Sequence, residues 1–435
     1  MAMVSFKSLA TISRETWTPS KSVDGSVWHY SIPNFDTGMA HLENTSSIMS
    51  NKFLITKPCV LISKLNPKSP RVWLIENVQE GTSVCSTEFI VLTPNSPADL
   101  RFLYFLLKSS EVRQRLSDIA TGTSSSHQRV RPEDILNLEV ECLDSVIERQ
   151  NCSNVLMALE SRISLNVEMG KTLEEIAQTI FKSWFVDFDP VKAKMAGEKP
   201  VGMDEATAVL FPDSMEDSEL GKIPTGWAVK PLFDFKLEIE SGSRPKGGVK
   251  GISTGIPSIG AESINGIGVF DFSKTKYVSE EFYSKMNKGK PRDFDVLLYK
   301  DGGKPGVFKP RVGMYGIGFP FSKYAINEHV FLLRSVELGP AFTYFWIRME
   351  RTLDVLRNRG IKAAIPGINQ QDVGTLPVLW SSYELITKFN ELCMPHLELI
   401  LNLAAQSLEL SNLRDLLLPR LISGELQIPK EMLAS

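Results

Sequence analysis

The chain has 435 residues, of which 43% are apolar and 23% charged, and its formal net charge is −3. This length can hold two or more domains with sizeable cores, and the composition is typical of a globular protein. No apolar run reaches the roughly 18 residues that a membrane-spanning helix needs. The five cysteines are scattered without a CxxC pair, which argues against a zinc site or disulfide framework and predicts a cytoplasmic location.

Residues 1–143 alternate short β-like runs with Pro, Gly, Asn and Ser, and then change to helical spacing. The predicted strands are Val27–Ile32, Lys52–Ile55, Val60–Lys64, Arg71–Ile75 and Glu88–Leu92. A helix is predicted over Asp99–Ile119 with Asp99 as its cap, because apolar residues recur there every three to four positions. A polar loop at 120–129 precedes a turn and a short strand within Val130–Cys142.

A long helix is predicted from about Val146, because apolar side chains recur at alternating steps of four and three. This 3.5-residue repeat predicts a coiled-coil seam, and about 40 residues of helix would measure about 60 Å. The seam residues are Cys152, Leu156, Leu159, Ile163, Asn166, Gly170, Leu173, Ala177, Ile180 and Trp184. From Pro190 onwards, Pro and Gly are expected to end regular structure.

Charge is unevenly distributed after this helix. Residues 187–225 carry four Lys against nine Asp and Glu, whereas residues 230–345 carry 17 Lys and Arg against 12 Asp and Glu. A basic module beside an acidic connector fits a polyanion-binding domain, although uneven surface charge alone explains the pattern equally well.

The second half repeats the first at a nearly constant offset of 236 to 240 residues. VLLYK at 296–300 matches VLISK at 60–64, and EHVFL at 328–332 matches EFIVL at 88–92. FTYFWI at 342–347 matches FLYFLL at 102–107, and INQQDVGTLPV at 368–378 matches VRPEDILNLEV at 130–140. These collinear matches predict an internal duplication, and therefore a pseudo-dimer within one chain.

A second seam follows in the repeat, and Pro395 inside it should kink or divide the helix. Its residues are Phe389, Cys393, His396, Ile400, Leu403, Ser407, Leu410, Arg414, Leu417 and Leu421. Neither helix can bury its seam alone, so we expect antiparallel pairing of the two as a ruler between the modules.

The sequence lacks the common catalytic motifs. It contains no GxxxxGK[ST], HExxH, GxSxG or NPPY-type motif, and Gly302–Gly306 lacks phosphate-loop spacing. Asp187 and Asp189 could be read as metal carboxylates, but ending a helix and solvating a connector is the simpler interpretation. The sequence therefore offers no candidate residues for a catalytic site.

Binding residues are easier to find. The loop TGTSSSHQR at 121–129 offers Ser hydroxyls for phosphates, Gln128 for adenine and Arg129 for guanine, or it is simply a polar surface loop. Lysines follow matching strands in each half before a Gly-, Pro- or Asn-rich turn, which suits phosphates, although a solvated hairpin tip is the alternative. The predicted DNA-binding residues are Lys64, Lys68, Arg71, Ser125, Ser126, His127, Gln128, Arg129, Lys300, Lys304, Lys309, Asn369 and Gln370.

Three strings then indicate a family. LEEIAQTIFKSWFVDFDPVKAK at Leu173–Lys194, the segment Ala208–Trp227 ending in ELGKIPTGW, and LRDLLLPRLISGEL at Leu413–Leu426 are together specific. ATGTSSSHQRVRPEDI and VLISKLNP look like one common version of the first recognition domain. The chain resembles the DNA-specificity subunit of a Type I restriction–modification system along essentially its whole length.

This resemblance implies an α+β fold with two duplicated mixed α/β target-recognition domains. They would be separated by an antiparallel coiled coil of two long helices, with pseudo-twofold symmetry. The implied segments are a first target-recognition domain at 1–143, a first spacer helix at 144–186, an acidic connector at 187–225, a second target-recognition domain at 226–379, a second spacer helix at 380–422 and a C-terminal tail at 423–435.

The resemblance also implies a function without catalysis. Each recognition domain would read one half of a bipartite site in double-stranded DNA through the major groove. Two modification subunits would bring S-adenosylmethionine and methylate adenine, and restriction subunits would use ATP and Mg, so no cofactor is expected in this chain and no membrane. A coiled-coil scaffold without sequence-specific DNA binding is the alternative, and a fused restriction–modification enzyme would need motifs that are missing.

Overall fold

The computed structural model describes residues 2–19, 25–120, 128–219, 221–361 and 365–429. It divides into two compact units, which are described separately. Unit 1 comprises 1–163 and 409–435, and unit 2 comprises 164–408. Each of two 40-residue helices therefore has residues in both units.

The elements follow the chain in two similar series. The strands of the first series are β1 (Ala2–Ser5), β2 (Ala10–Ser13), β3 (Thr16–Trp17), β4 (Ser26–Tyr30), β5 (His41–Asn44), β6 (Lys52–Ile55), β7 (Cys59–Ser63), β8 (Val72–Ile75), β9 (Ser83–Cys85), β10 (Phe89–Pro94) and β11 (Glu139–Cys142). Its helices are α1 (Phe6–Leu9), α2 (Ile32–Thr37), α3 (Leu100–Lys108), α4 (Ser110–Ile119), α5 (Pro132–Leu136) and α6 (Val146–Phe185).

The second series begins after α6. Its strands are β12 (Met215–Ser218), β13 (Gly221–Pro224), β14 (Ala228–Pro231), β15 (Glu238–Ser241), β16 (Ile256–Ile259), β17 (Lys276–Val278), β18 (Val296–Tyr299), β19 (Val312–Met314), β20 (Ala325–Ile326), β21 (Val330–Arg334) and β22 (Pro377–Trp380). Its helices are α7 (Asp189–Met195), α8 (Glu205–Val209), α9 (Glu280–Lys285), α10 (Pro340–Arg348), α11 (Glu350–Gly360), α12 (Gln370–Gly374) and α13 (Tyr383–Ile422).

Unit 1 is built around a four-stranded antiparallel sheet in the order β2-β10-β7-β8. Side chains alternate between the two faces of a strand. In β7, Val60 and Ile62 enter the core under α3, while Leu61 packs toward a second, five-stranded sheet. Both faces are buried, which explains why VLIS is a continuous apolar run rather than an alternating one.

Unit 2 repeats this arrangement with other side chains. Its four-stranded antiparallel sheet has the order β15-β21-β18-β19, and a small sheet β14-β22 matches β1-β11 of unit 1. A second mixed sheet in each unit contains one parallel pair, β4 with β9 in unit 1 and β16 with β20 in unit 2. The α+β fold class is therefore confirmed.

Both predicted long helices are present, and their seams are covered. Every predicted seam residue of α6 and α13 is buried or half-buried, including Asn166, whose Nδ2 donates to Gln406 Oε1 at 2.8 Å within unit 2. Glu160 and Arg414 form an ion pair at 3.2 Å within unit 1. The covered stripe is the one that the 3.5-residue repeat predicts.

Pro395 does not divide the second helix, contrary to one of the two predicted outcomes. Helix α13 is continuous from Tyr383 to Ile422, although a proline removes one backbone hydrogen bond. Pro395 itself is exposed, while Cys393 and Leu397 on either side are fully buried. Packing of the apolar face therefore outweighs the local penalty.

Two other local predictions were wrong. The helix predicted over Asp99–Ile119 is two helices, α3 and α4, because Ser109 leaves the helical conformation and caps α4 by accepting from Val112 N. Asp99 makes no cap hydrogen bond and instead accepts from the buried Arg149.

Regular structure also continues beyond Pro190. Helices α7 and α8 and the hairpin β12–β13 follow it, since Pro is tolerated in the first turn of a helix such as α7. Val191 and Phe211 from this acidic segment are buried in the core of unit 2, as is Trp227 just after it. Asp187 pairs with Lys182 at 2.9 Å.

Candidate nucleic-acid interface

In unit 1, the predicted binding residue Lys64 lies where β7 leaves the four-stranded sheet. Its backbone N donates to Glu88 O at 2.8 Å and its Nζ donates to Thr87 O at 2.5 Å. The ammonium group also lies 5.4 Å from the centre of the Phe53 ring. Burial lowers the pKa of Lys64, and the neighbouring Glu88 carboxylate partly offsets this. Lys64 is therefore a half-buried cation tied to the start of β10.

A second predicted stretch, distant in sequence, reaches the same place. Val130 N donates to Lys64 O at 3.0 Å, and Arg129 forms an isolated bridge with Leu65. The Arg129 guanidinium is 57% exposed and lies 3.4 Å from Glu88, so this pair contributes little to stability and leaves the group accessible. Gln128 is half-buried beside it. Ser125, Ser126 and His127 lie outside the described residues.

The turn after Lys64 carries two other predicted cations, Lys68 and Arg71, and they differ in their ion pairing. Arg71 makes a two-pronged pair with Asp36 at 2.8 and 3.0 Å, and this hydrogen bonding holds the pKa of Asp36 below its ordinary value. Lys68 is exposed at the tip and has no ion pair within the described residues. Of these two, Lys68 is the cation free to meet an external anion.

Unit 2 makes the same edge with its own residues. Lys300 follows β18, its backbone N donates to His329 O at 2.9 Å, and its O accepts from Ile368 N at 2.8 Å. Its Nζ donates to Glu328 O at 3.2 Å and lies 5.3 Å from the Phe331 ring centre. The backbone bond from Ile368 to Lys300 is the counterpart of that from Val130 to Lys64.

The remaining predicted residues of unit 2 surround this edge. Asn369 caps α12 by accepting from Asp372 N at 3.0 Å, and Gln370 Nε2 donates to Ile239 O at 3.0 Å. Lys304 and Lys309 are exposed and form no ion pair in the part of the chain that the structure describes. A DNA-contacting role for all of these residues stays a prediction.

The structure adds a cleft at this edge in each unit, which sequence reasoning missed. In unit 1 it has a volume of about 290 Å³ and is lined by Arg14, Phe53, Lys64 and Phe89, among others. In unit 2 it has a volume of about 350 Å³. It is lined by Arg244, Lys250, Ser258, Lys276, Glu328 and His329, among others.

Both clefts begin where the first strand of the four-stranded sheet ends. Arg14 directly follows β2, and Arg244 stands three residues after β15. An arginine just beyond a short strand is the only sequence signal for these positions, and it cannot be used until the strand order is known.

Among the described residues, no group of three or more His, Cys, Asp or Glu side chains is placed to hold a metal ion. No helix in the described ranges is long and apolar enough to cross a membrane.

Comparison with known proteins agrees with the motifs. No protein-family model matches the chain. The Type I restriction enzyme HindI specificity subunit of Haemophilus influenzae is 24% identical over 88% of this chain and 93% of its own length. The Type I restriction enzyme MjaIX specificity subunit of Methanocaldococcus jannaschii is 26% identical over 78% of this chain and 71% of its own length.

A solved structure shares the fold. The crystal structure of the Type I restriction–modification system S subunit from M. genitalium matches with a TM-score of 0.52 and 14% identity, covering 97% of this chain and 96% of that one. Together with the two relatives above, this match confirms the predicted resemblance to Type I specificity subunits.

Proposed function

We propose that this chain, as a Type I specificity subunit, binds a bipartite sequence in double-stranded DNA and has no catalytic site of its own. The observation that carries the proposal is the recurrence of one lysine-bearing edge in both units. Val130 is bonded to Lys64 in unit 1, and Ile368 is bonded to Lys300 in unit 2. Each edge has exposed cations nearby, such as Lys68 and Lys304, that suit phosphates.

The two units act as duplicated target-recognition domains, each reading one half-site. Support comes from the strand order β2-β10-β7-β8, which recurs as β15-β21-β18-β19 with the same antiparallel pairing. Helices α3, α4 and α5 likewise recur as α10, α11 and α12. Two recognition domains in one chain suit a split and asymmetric DNA site, because the loops of the two domains carry different side chains.

The long helices act as an antiparallel ruler between the half-sites. As residue numbers rise along α6 they fall along α13: Glu160 pairs with Arg414, Asn166 bonds to Gln406, and Gly170 lies against Ile400. This order is that of an antiparallel coiled coil with a seven-residue repeat. The length of the helices would then set the spacer.

Catalysis belongs to partner subunits in this proposal. Two modification subunits supply S-adenosylmethionine and methylate adenine, while restriction subunits supply ATP-driven translocation and cleavage with Mg. Leu165, Met169 and Ile176 form an exposed apolar stripe at helical spacing on α6 in unit 2. Exposed apolar stripes of this kind mark protein-binding surfaces, and we assign this one to the modification subunits.

A domain exchange tests the proposal. Residues 1–143 are replaced by the first domain of another specificity subunit, and the methylated motif is read from a host that expresses the chimera with the modification subunit. We expect a bipartite adenine-methylated motif in which one half changes and the other half and the spacer persist. Replacing 226–379 is the matched control and should change the opposite half.

Two results would contradict the proposal. A chimera that changes both halves would show that the domains do not read independently. A wild-type complex without sequence-specific affinity for DNA would favour the alternative of a coiled-coil scaffold.

A further inference from the structure

The two recognition modules differ sharply in charge, although their folds match. Residues 1–143 carry 14 Lys and Arg against 14 Asp and Glu, whereas residues 226–379 carry 22 against 15. The first module is thus neutral and the second has a formal charge of +7. Because DNA affinity depends on how many phosphates a protein neutralises, this difference bears directly on binding.

Part of the excess is concentrated in the cleft of unit 2. Arg244, Lys250 and Lys276 approach it from three segments of the chain. Arg244 reaches Glu328 only at 3.4 Å and its side chain is 58% exposed, so this pair is weak. Lys250 is exposed and has no ion pair among the described residues. Lys276 pairs with Glu262 at 2.6 Å but is half-exposed.

The loop that carries Arg244 and Lys250 is held against the sheet by its glycines. A Cβ at Gly242 would lie 1.9 Å from Ile326 O, so only glycine permits this approach. Gly248 has φ +79° and its N donates to Pro245 O at 2.9 Å, and the Arg244 guanidinium lies over it. The arginine is therefore presented at a defined place beside the cleft.

The equivalent cleft of unit 1 holds fewer cations. Its lining includes Arg14 and Lys64 together with the carboxylate of Glu133, which pairs with Arg14, and both side chains of this pair are more than half exposed. Lys64 Nζ is bonded to Thr87 O and covered by the Phe53 ring. Phe89, Ile90 and Val91 also line this cleft, but their side chains are buried. The cleft of unit 1 therefore offers less charge to a phosphate than the cleft of unit 2 does.

We propose that the cleft of unit 2 binds the phosphodiester backbone of double-stranded DNA through Arg244, Lys250 and Lys276, and that the cleft of unit 1 does not. This inference rests on the proposed function and sharpens it. Binding of the second half-site then depends strongly on salt, and binding of the first half-site depends on salt less. The two halves of one recognition site are thus bound with different salt dependence.

Affinity measured against salt tests the proposal. This chain is assembled with its modification subunits, and the dissociation constant of that complex for a fluorescent DNA duplex is measured at several NaCl concentrations. The duplex contains the motif that the host methylates. The variant R244A/K250A/K276A should lower the slope of log affinity against log salt by roughly 0.9 for each phosphate that the variant no longer neutralises, so by roughly 2 to 3 in total. R244Q and K250Q alone should each lower it by roughly 0.9.

Two controls isolate the cleft. K236A/K285A/K288A removes the same charge from exposed positions of unit 2 that do not line the cleft, and its slope should match that of wild type. R14A, in the cleft of unit 1, should also leave the slope unchanged. Thermal melting of each variant verifies that the fold is retained.

The outcomes separate the two proposals. If the cleft variant keeps the full slope while specific binding persists, the phosphate assignment is wrong and the proposed function stands. A control triple that lowers the slope as much as the cleft variant would mean that long-range charge, and not the cleft, is responsible. If wild type shows no preference for the motif, the proposed function fails and this inference fails with it.

Discussion

The buried ion pair between Asp99 and Arg149 joins the start of α3 to the long helix α6 and should contribute strongly to the stability of unit 1. The two side chains are 3% and 7% exposed, and two hydrogen bonds of 2.7 and 3.2 Å join them. Asp99 immediately precedes α3, and Arg149 lies in the first turn of α6. Arg149 also donates to Leu143 O at 3.2 Å and to Asp144 O at 2.7 Å.

The substitution Asp99→Ala leaves a buried guanidinium without its carboxylate. Removing one partner of a buried pair costs about 3 to 5 kcal/mol. The two carbonyl acceptors remain, so we expect the lower end, about 3 kcal/mol. Unit 1 has about 190 residues, and for domains of this size 1 kcal/mol lowers the melting temperature by about 2 to 4 °C. The transition of unit 1 should therefore fall by roughly 6 to 12 °C.

Thermal and urea unfolding measure this change. Glu111→Ala is the matched control, because it breaks an exposed pair with Arg115 on α4 and should cost less than about 0.5 kcal/mol. The double variant D99A/R149L removes the stranded charge and should recover a large part of the stability. A D99A protein within about 1 kcal/mol of wild type, or a double variant that recovers nothing, would refute the reasoning.

Two further predictions concern the long helices. Inserting one or two helical turns at Thr172 in α6 should change the spacer of the methylated motif while both half-sites persist, and an unchanged spacer would contradict the ruler. Ile176→Asp should reduce co-purification of the modification subunit, because it places a charge in the exposed apolar stripe of α6. Ser164→Asp introduces the same charge at an exposed polar position on another face of α6 and should co-purify normally; an equal reduction in both variants would argue against the stripe.

Periodicity was the most reliable guide to the fold. The strand predicted at Lys52–Ile55 has the same bounds in the structure, and the 3.5-residue repeat identified the covered faces of both long helices. Such patterns succeed because burial on one face imposes a fixed spacing on the chain. VLIS and VLLY were found as matching strands because both are buried on both faces and so read as apolar runs.

The missed strands had no such pattern. Strand β3 has two residues, and β5, with the sequence HLEN, is almost wholly exposed. Their pairing comes from neighbouring strands rather than from their own side chains. The role of Asp99 was missed for a related reason: its partner, Arg149, lies 50 residues away, and a local cap was the nearer explanation.

The candidate site was predicted in part. Sequence reasoning selected Lys64 and Arg129 separately, and only the folded chain brings them to one edge through the bond from Val130 to Lys64. It could not find Arg14 or Arg244, because their place beside a cleft depends on strand order and on the close approach at Gly242. It also treated Arg71 as available, although Asp36 occupies it.

The two similar series of elements do not share every interaction. In unit 1, Tyr104 donates to Glu160 at 2.8 Å and Lys108 completes the cluster. In unit 2, Tyr344 and Arg348 stand at the matching positions and both meet Glu174, at 3.0 and 2.9 Å.

If the second half of the chain repeated the first strictly, the counterpart of Glu160 would lie on α13. The residue at that position is the buried Leu397. Both anchoring carboxylates belong to α6 instead, 14 residues or two heptads apart. An insertion or deletion in α6 between Glu160 and Glu174 therefore changes the spacing of the two carboxylates along the helix. A change in α13 leaves both glutamates in place, so the two helices of the proposed ruler are not interchangeable.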